Sequence, residues 1–109
     1  MSDNKQKKYR NPDKEKIRRK KDIEKLKDFI WNYLLDHPCI DCGNNDPVVL
    51  HFDHRNPDDK KYAISDAIYR LRSVESLKRE IEKCDVRCAN CHMKRSAKQF
   101  GWHQKYLAE

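Results

Sequence analysis

Long apolar runs are missing from this chain of 109 residues. No stretch approaches the ~20 apolar residues that a membrane span requires, and the N-terminus carries no apolar segment of the kind that directs export. The expectation is a cytoplasmic protein. Apolar residues are scarce overall, at 37%, too few to fill a generous core. Internal repeats and low-complexity segments are absent as well. Nor is there an even set of cysteines: five, without an export signal, argue against a secreted disulfide framework. A chain so short of core usually adds a disulfide, a metal or a partner, and here metal is the better use of its thiols.

Charge is abundant, and it is uneven. The net charge is +7, which favours a polyanionic partner without choosing between DNA, RNA and an acidic protein. Residues 1–28 hold 12 Lys and Arg against 6 Asp and Glu, while the remainder holds 13 against 12. Nearly all the excess therefore lies in one N-terminal segment. Such a run serves equally as a solvated helix face or as a phosphate contact.

Three regions follow: a basic arm and helix over residues 1–38, a central domain over 39–100, and a tail over 101–109. The first ten residues are polar throughout and read as a flexible arm. A helix then starts with Asn11 as N-cap, Pro12 at its first position, and Asp13 and Glu15 facing the positive end of the dipole. Ile23, Leu26, Ile30 and Leu34 repeat at helical spacing, widened by Phe29 and Tyr33, so its second half packs. Its first half, with Arg18, Arg19, Lys20 and Lys21, stays wet. Pro38 ends it near Asp36 or His37. A turn-rich segment runs to Pro47, Val48 to Asp53 alternates like a strand, and Asn56-Pro57-Asp58-Asp59 stops it. Ser65 and Ser73 look like N-caps of one broken or two short helices, with Ile68, Leu71, Leu77 and Ile81 as the apolar stripe. A second strand over Asp85 to Cys88 and a last helix from Ala89 to Phe100, closed by Gly101, complete a small α+β fold.

The chemistry starts with Cys39-Ile40-Asp41-Cys42 and Cys88-Ala89-Asn90-Cys91. Each C-x-x-C knuckle brings two thiolates to one side of a turn, and four sulfurs at ~2.3 Å make a closed tetrahedral zinc site that contributes folding free energy. Redox pairs of thioredoxin type need a βαβ setting that is absent. Cys84 is left over, a small buried apolar residue beside Ile81. A four-sulfur site has no open position, so this zinc is structural, and any chemistry lies beside it.

Two segments stand beside it, Leu50-His51-Phe52-Asp53-His54 and Cys84-Asp85-Val86-Arg87-Cys88-Ala89-Asn90-Cys91-His92. With the knuckles and the run Leu77 to Ile81, they make the stretch from Cys39 to about Ser96 resemble the HNH endonuclease family, in particular its small zinc-containing members common in phage genomes. The resemblance implies a ββα-metal motif: two antiparallel strands and one helix around a single divalent ion, flanked here by further helices. It also implies Asp53 and His92 as ligands of Mg²⁺, Mn²⁺ or another divalent ion, and His54 as the general base that activates water. The reaction implied is hydrolysis of a DNA phosphodiester bond, as a nick or a double-strand cut, to a 5′ phosphate and a 3′ hydroxyl. A neutral imidazole suits proton abstraction at physiological pH, and a carboxylate with an imidazole suits a divalent cation. Because strand neighbours point to opposite faces, Asp53 and His54 reach ion and water together only where the strand gives way to its turn. His51 shares a face with Asp53, and orients it, adds a ligand, or is equally well a half-buried structural histidine.

The chain departs from the family pattern at two places. Where most members carry Asn or His nine residues before the helix histidine, it has Lys83, and where many carry a second helix histidine it has Arg95 and Ser96. His51 or Asn90 can complete the site, and Lys83 can turn to phosphate instead. Arg55, Lys60, Lys61, Arg87, Lys94 and Arg95 are further candidates for the DNA backbone, together with Arg18, Arg19, Lys20 and Lys21. Partners implied are DNA, a second copy of the chain through the aromatic tail around Trp102 and Tyr106, or a phage DNA-packaging or processing protein; a phage-encoded chain would work in the host cytoplasm. A non-catalytic DNA-binding or adaptor module is the alternative.

Overall fold

A computed structural model describes residues 11–107; the expected N-terminal arm, Met1 to Arg10, lies outside the described residues. Helix α1, Pro12–Asp36, starts as its sequence predicts: the Asn11 side chain accepts from the Asp13 and Lys14 amides at 2.9 and 3.4 Å, and Pro12 occupies the first turn. It stops at His37, just before Pro38. Its first half is bathed in solvent, Arg18, Arg19, Lys20 and Lys21 included. Its second half sends Leu26 into one cluster of buried side chains and Leu34 into another.

The strand begins later than its alternation implies. Pro47 has no amide hydrogen to give a ladder, and the Asp46 side chain accepts from the Val48 amide at 3.0 Å, so Pro47–Val49 closes as a 3-10 turn. Strand β1 is Leu50–His54, pairing antiparallel with β2, Cys84–Cys88, with Leu50 opposite Cys88 and His54 opposite Cys84. Between the strands lie a second 3-10 turn, Pro57–Asp59, capped by Asn56, and two short helices, α2 (Asp66–Tyr69) and α3 (Val74–Ile81). Ser73 caps α3, accepting from the Ser76 amide at 3.0 Å. Ser65 makes no such bond, because its backbone is already helical and its hydroxyl is not aimed back at the first turn. Leu71 joins the two helices at φ 48, a left-handed conformation that L side chains seldom adopt.

Helix α4, Ala89–Phe100, follows β2 without a loop and ends at Gly101, whose φ of 71 is the left-handed C-terminal cap that lets Trp102 N–H bond the Ala97 carbonyl at 2.8 Å. A last short helix, α5, is Gln104–Leu107. Trp102 and Tyr106 stay exposed, outside both clusters. The described residues thus form a small α+β structure of five α-helices and one two-stranded sheet. None of these helices is long and apolar enough to cross a membrane.

The hairpin divides the molecule. One face carries Leu50, Phe52, His54, Cys84, Val86 and Cys88 toward α1 and α3, joining a cluster of Leu34, Cys39, Leu50, Val86 and Cys88 to one of Leu26, Tyr62, Ile64, Ala67, Leu77, Ile81 and Cys84. The other face carries His51, Asp53, Asp85 and Arg87, and their side chains meet His92 and Arg95 of α4.

Candidate metal and phosphate site

The two knuckles close on each other. Cys39 ends the approach from α1, its amide bonded to the Asn44 carbonyl and its carbonyl to the Gly43 amide, each at 2.9 Å, with Gly43 at φ 78 making the turn. The Ile40 amide reaches the Val86 carbonyl at 2.9 Å and so lays this knuckle beside β2. Cys88 is at once the last residue of β2 and the N-cap of α4. The sulfurs of Cys39, Cys42, Cys88 and Cys91 consequently lie within 4.8 Å of one another, able to hold a metal such as zinc. A tetrahedron with bonds of ~2.3 Å has edges of about 3.8 Å, and Cys42 Sγ to Cys88 Sγ is 3.7 Å. The residues present therefore fit that ion. Burial alone would raise the Cys39 thiol, but amides of Cys88, Cys42 and Asp41 outweigh it and bring it down to about 6. The Cys88 sulfur and burial push Cys91 up to about 12. Four thiolates so close need a cation to coexist. Among the described residues this is the one group of three or more Cys, His, Asp or Glu with such spacing. Cys84 is not in it: it faces Glu80, donating to that residue's carbonyl at 3.5 Å, and burial pushes its thiol up to about 11.

Beside the cysteines, the outer face of the hairpin is a lattice of charge. Asp53, 7% exposed, receives Arg95 Nη1 on Oδ1 at 2.9 Å and Arg87 Nη1 on Oδ2 at 3.1 Å. Arg87 also donates from Nε to Asp41 of the first knuckle at 2.7 Å and sits 3.6 Å from Asp85. Those partners overcome the effect of burial and raise its pKa further, so it is a permanent cation. Arg55 clamps the start of β2, donating to the Cys84 carbonyl at 2.9 Å, the Asp85 carboxylate at 3.0 Å and the Glu82 carbonyl. His92 turns Nδ1 toward Asp53 Oδ2 at 3.5 Å. That nitrogen is shielded from solvent and has no hydrogen-bond partner. The exposed His51 ring lies 5.7 Å from the His92 ring, centroid to centroid.

His54 is elsewhere. β1 runs regularly through it, so it points to the inner face, opposite Asp53, and its Nε2 lies 2.8 Å from Glu80 Oε2. Glu80 is 2% exposed and also accepts from the Lys61 amide at 2.9 Å and the Lys83 ammonium at 3.0 Å. Burial would raise its pKa; those three donors outweigh it and hold the carboxyl at about 2. Lys83 donates further to the Asp59 carbonyl at 2.9 Å, which ties the Pro57–Asp59 turn to the end of α3. Lys83, which sequence reasoning offered as a phosphate contact, thus serves this inner network. The structure brings Asp53, His92, His51, Arg87 and Arg95 together beside the cysteines; His54 and Lys83 are across the sheet, and Lys94 lies with Met93 and Trp102 on another flank of α4.

Glu80 escaped sequence reasoning, although a signal exists: it lies three residues after Leu77 and next to Ile81, on the apolar face of α3. Compared with protein-family models, curated proteins and solved structures, the chain matches none of them.

Proposed function

We propose that this chain is a DNA-binding hydrolase of the HNH type, with a structural zinc in the four-cysteine site and a second divalent ion held by Asp53 and His92. The observation that carries this reading is the 3.5 Å approach of Asp53 Oδ2 and the partnerless His92 Nδ1. Two ligands of one ion at ~2.1 Å stand about 3 to 3.5 Å apart. The carboxylate and water suit Mg²⁺ or Mn²⁺, while the imidazole favours a later first-row ion. Bound there, such an ion supplies Lewis-acid stabilisation of charge on the phosphate and on the leaving oxygen.

The chain's own residues do the rest. Glu80, ionised and buried, accepts from His54 Nε2–H; in the neutral ring that puts the lone pair on Nδ1, the tautomer a general base requires. Asp53 and His54 face opposite ways across β1, so one phosphate can meet both only over the end of the strand, at the exposed Arg55 and Asn56. The scissile phosphodiester lies over that end, with His54 taking the proton of the attacking water. Arg55, Lys60 and Lys61 then flank the strand end, and the wet, basic half of α1 adds sequence-independent contact to the duplex.

A second reading has its own support. Both oxygens of Asp53 already meet guanidinium groups, and Lys83 is spent on Glu80. A zinc-stapled DNA-binding or adaptor module would need nothing more. Supercoiled plasmid incubated with zinc-loaded protein in Mg²⁺, Mn²⁺ or EDTA separates the two. The hydrolase predicts ion-dependent nicking that disappears in Asp53→Asn while gel retardation persists. Retardation that weakens with salt, with intact plasmid in every lane, would establish the binding module and remove the hydrolase.

A further inference from the structure

Two guanidinium groups share Asp53, and they are not held alike. Arg87 is 12% exposed and lies between three carboxylates, Asp41 at 2.7 Å, Asp53 at 3.1 Å and Asp85 at 3.6 Å. Its departure would break three ion pairs at once. Arg95 is 30% exposed, holds one carboxylate oxygen at 2.9 Å, and has as its other contact the Arg55 carbonyl at 3.4 Å. It stands three residues after His92 on α4, so the two side chains emerge from one face of the helix. The arginine that can leave is therefore the one beside the unpartnered imidazole nitrogen.

Resting on the hydrolase reading, we propose that Arg95 is a switchable cation: it neutralises Asp53 in the free protein and passes to a DNA phosphate when a divalent ion takes that carboxylate. The physical reason is charge. Asp53 already has Arg95 and a share of Arg87, and a dication entering next to two guanidiniums meets repulsion that weakens its binding. Once Arg95 swings outward, the repulsion falls. Its planar fork then finds a bidentate partner in a phosphate. The carbonyl it touches belongs to Arg55, at the end of β1, where the scissile phosphate is placed. DNA thus offers Arg95 an alternative anion, and ion binding and DNA binding assist each other by the same factor.

The test is Mn²⁺ affinity of the zinc-loaded protein, read by electron paramagnetic resonance, for wild type, Arg95→Gln and Asp53→Asn, each with and without a short duplex held uncleaved by a phosphorothioate. The expected result is that Arg95→Gln binds Mn²⁺ about fivefold or more tightly than wild type without DNA, and that DNA tightens Mn²⁺ binding to wild type by a similar factor but hardly to the variant. The wild-type comparison stands alone if the variant does not fold. Equal Mn²⁺ affinity in wild type and Arg95→Gln, at a site that Asp53→Asn abolishes, overturns the switch and leaves the ion site standing. Mn²⁺ binding insensitive to Asp53→Asn overturns both.

Discussion

The two faces of one short hairpin show what a shared motif conceals. Asp53 and His54 are neighbours in sequence and cross-strand partners of Asp85 and Cys84, yet they live in unlike surroundings. On the inner face His54 is already satisfied: Glu80 binds it, and Lys61 and Lys83 bind Glu80, so that network is closed. On the outer face Asp53 is surrounded by cations with one histidine nitrogen left over. The first arrangement orients; the second, on the switch proposed for Arg95, exchanges one cation for another. The cysteine cluster sits at the end of both faces, because Cys88 closes β2 and opens α4 in one residue, and it sets where His92 meets the sheet.

The largest effect should come from breaking that junction. Cys88→Ser, or chelation of the metal, should abolish the cooperative unfolding transition and most of the folded signal in circular dichroism, since structural zinc in small domains contributes ~10 kcal/mol or more. A variant with wild-type unfolding and no bound zinc would refute the staple. Next is the inner face. Leu77 is fully buried, and Leu77→Ala should cost about 2–5 kcal/mol in urea unfolding. A cost below ~1 kcal/mol would mean that the α3 cluster is not the core described.

Glu80 sharpens the comparison through pH. Its carboxyl falls from 4.5 to about 2 on folding. A depressed folded pKa stabilises above the unfolded value and loses that contribution as pH drops from about 4.5 toward 2. At pH 7 that contribution is present in full, so Glu80→Gln should lower the urea midpoint of the zinc-loaded protein there by the equivalent of about 1–3 kcal/mol; an unchanged midpoint would contradict the closed inner network. The smallest effect lies outside the site. Gly101→Ala forces an L side chain into φ 71 and should cost about 1 kcal/mol, read as a small drop in thermal midpoint with retardation of DNA unchanged.

These contrasts also mark what a sequence discloses. Asn11-Pro12, Pro38, Ser73 and Gly101 act through their nearest neighbours, so both ends of α1, the start of α3 and the end of α4 were readable. The knuckles were readable for the same reason, each being a local turn. Where strand pairing competes with local bonding the reading failed: Asp46 and Pro47 hold a 3-10 turn where alternation implied strand, and Ser65 sits in helical backbone and caps nothing. The site was half legible. Residue types at Asp53, His54 and His92 are local information, but which face each occupies depends on where β1 ends. The turn at Asn56 comes two residues after His54, too late to swing it round to Asp53. Glu80 and Lys83, far from β1 in sequence, claim that inner face, and only the packing of α3 under the hairpin brings them there.

The most direct test of this division of labour is single-turnover cleavage of a labelled duplex by zinc-loaded wild type, His54→Ala and His51→Ala in Mn²⁺, with gel retardation as the binding control. The account predicts that His54→Ala loses about 100-fold or more in rate while still binding DNA, and that His51→Ala loses much less. A His54→Ala protein that cleaves like wild type, with the loss appearing in His51→Ala instead, would contradict it and place proton transfer on the same face as Asp53.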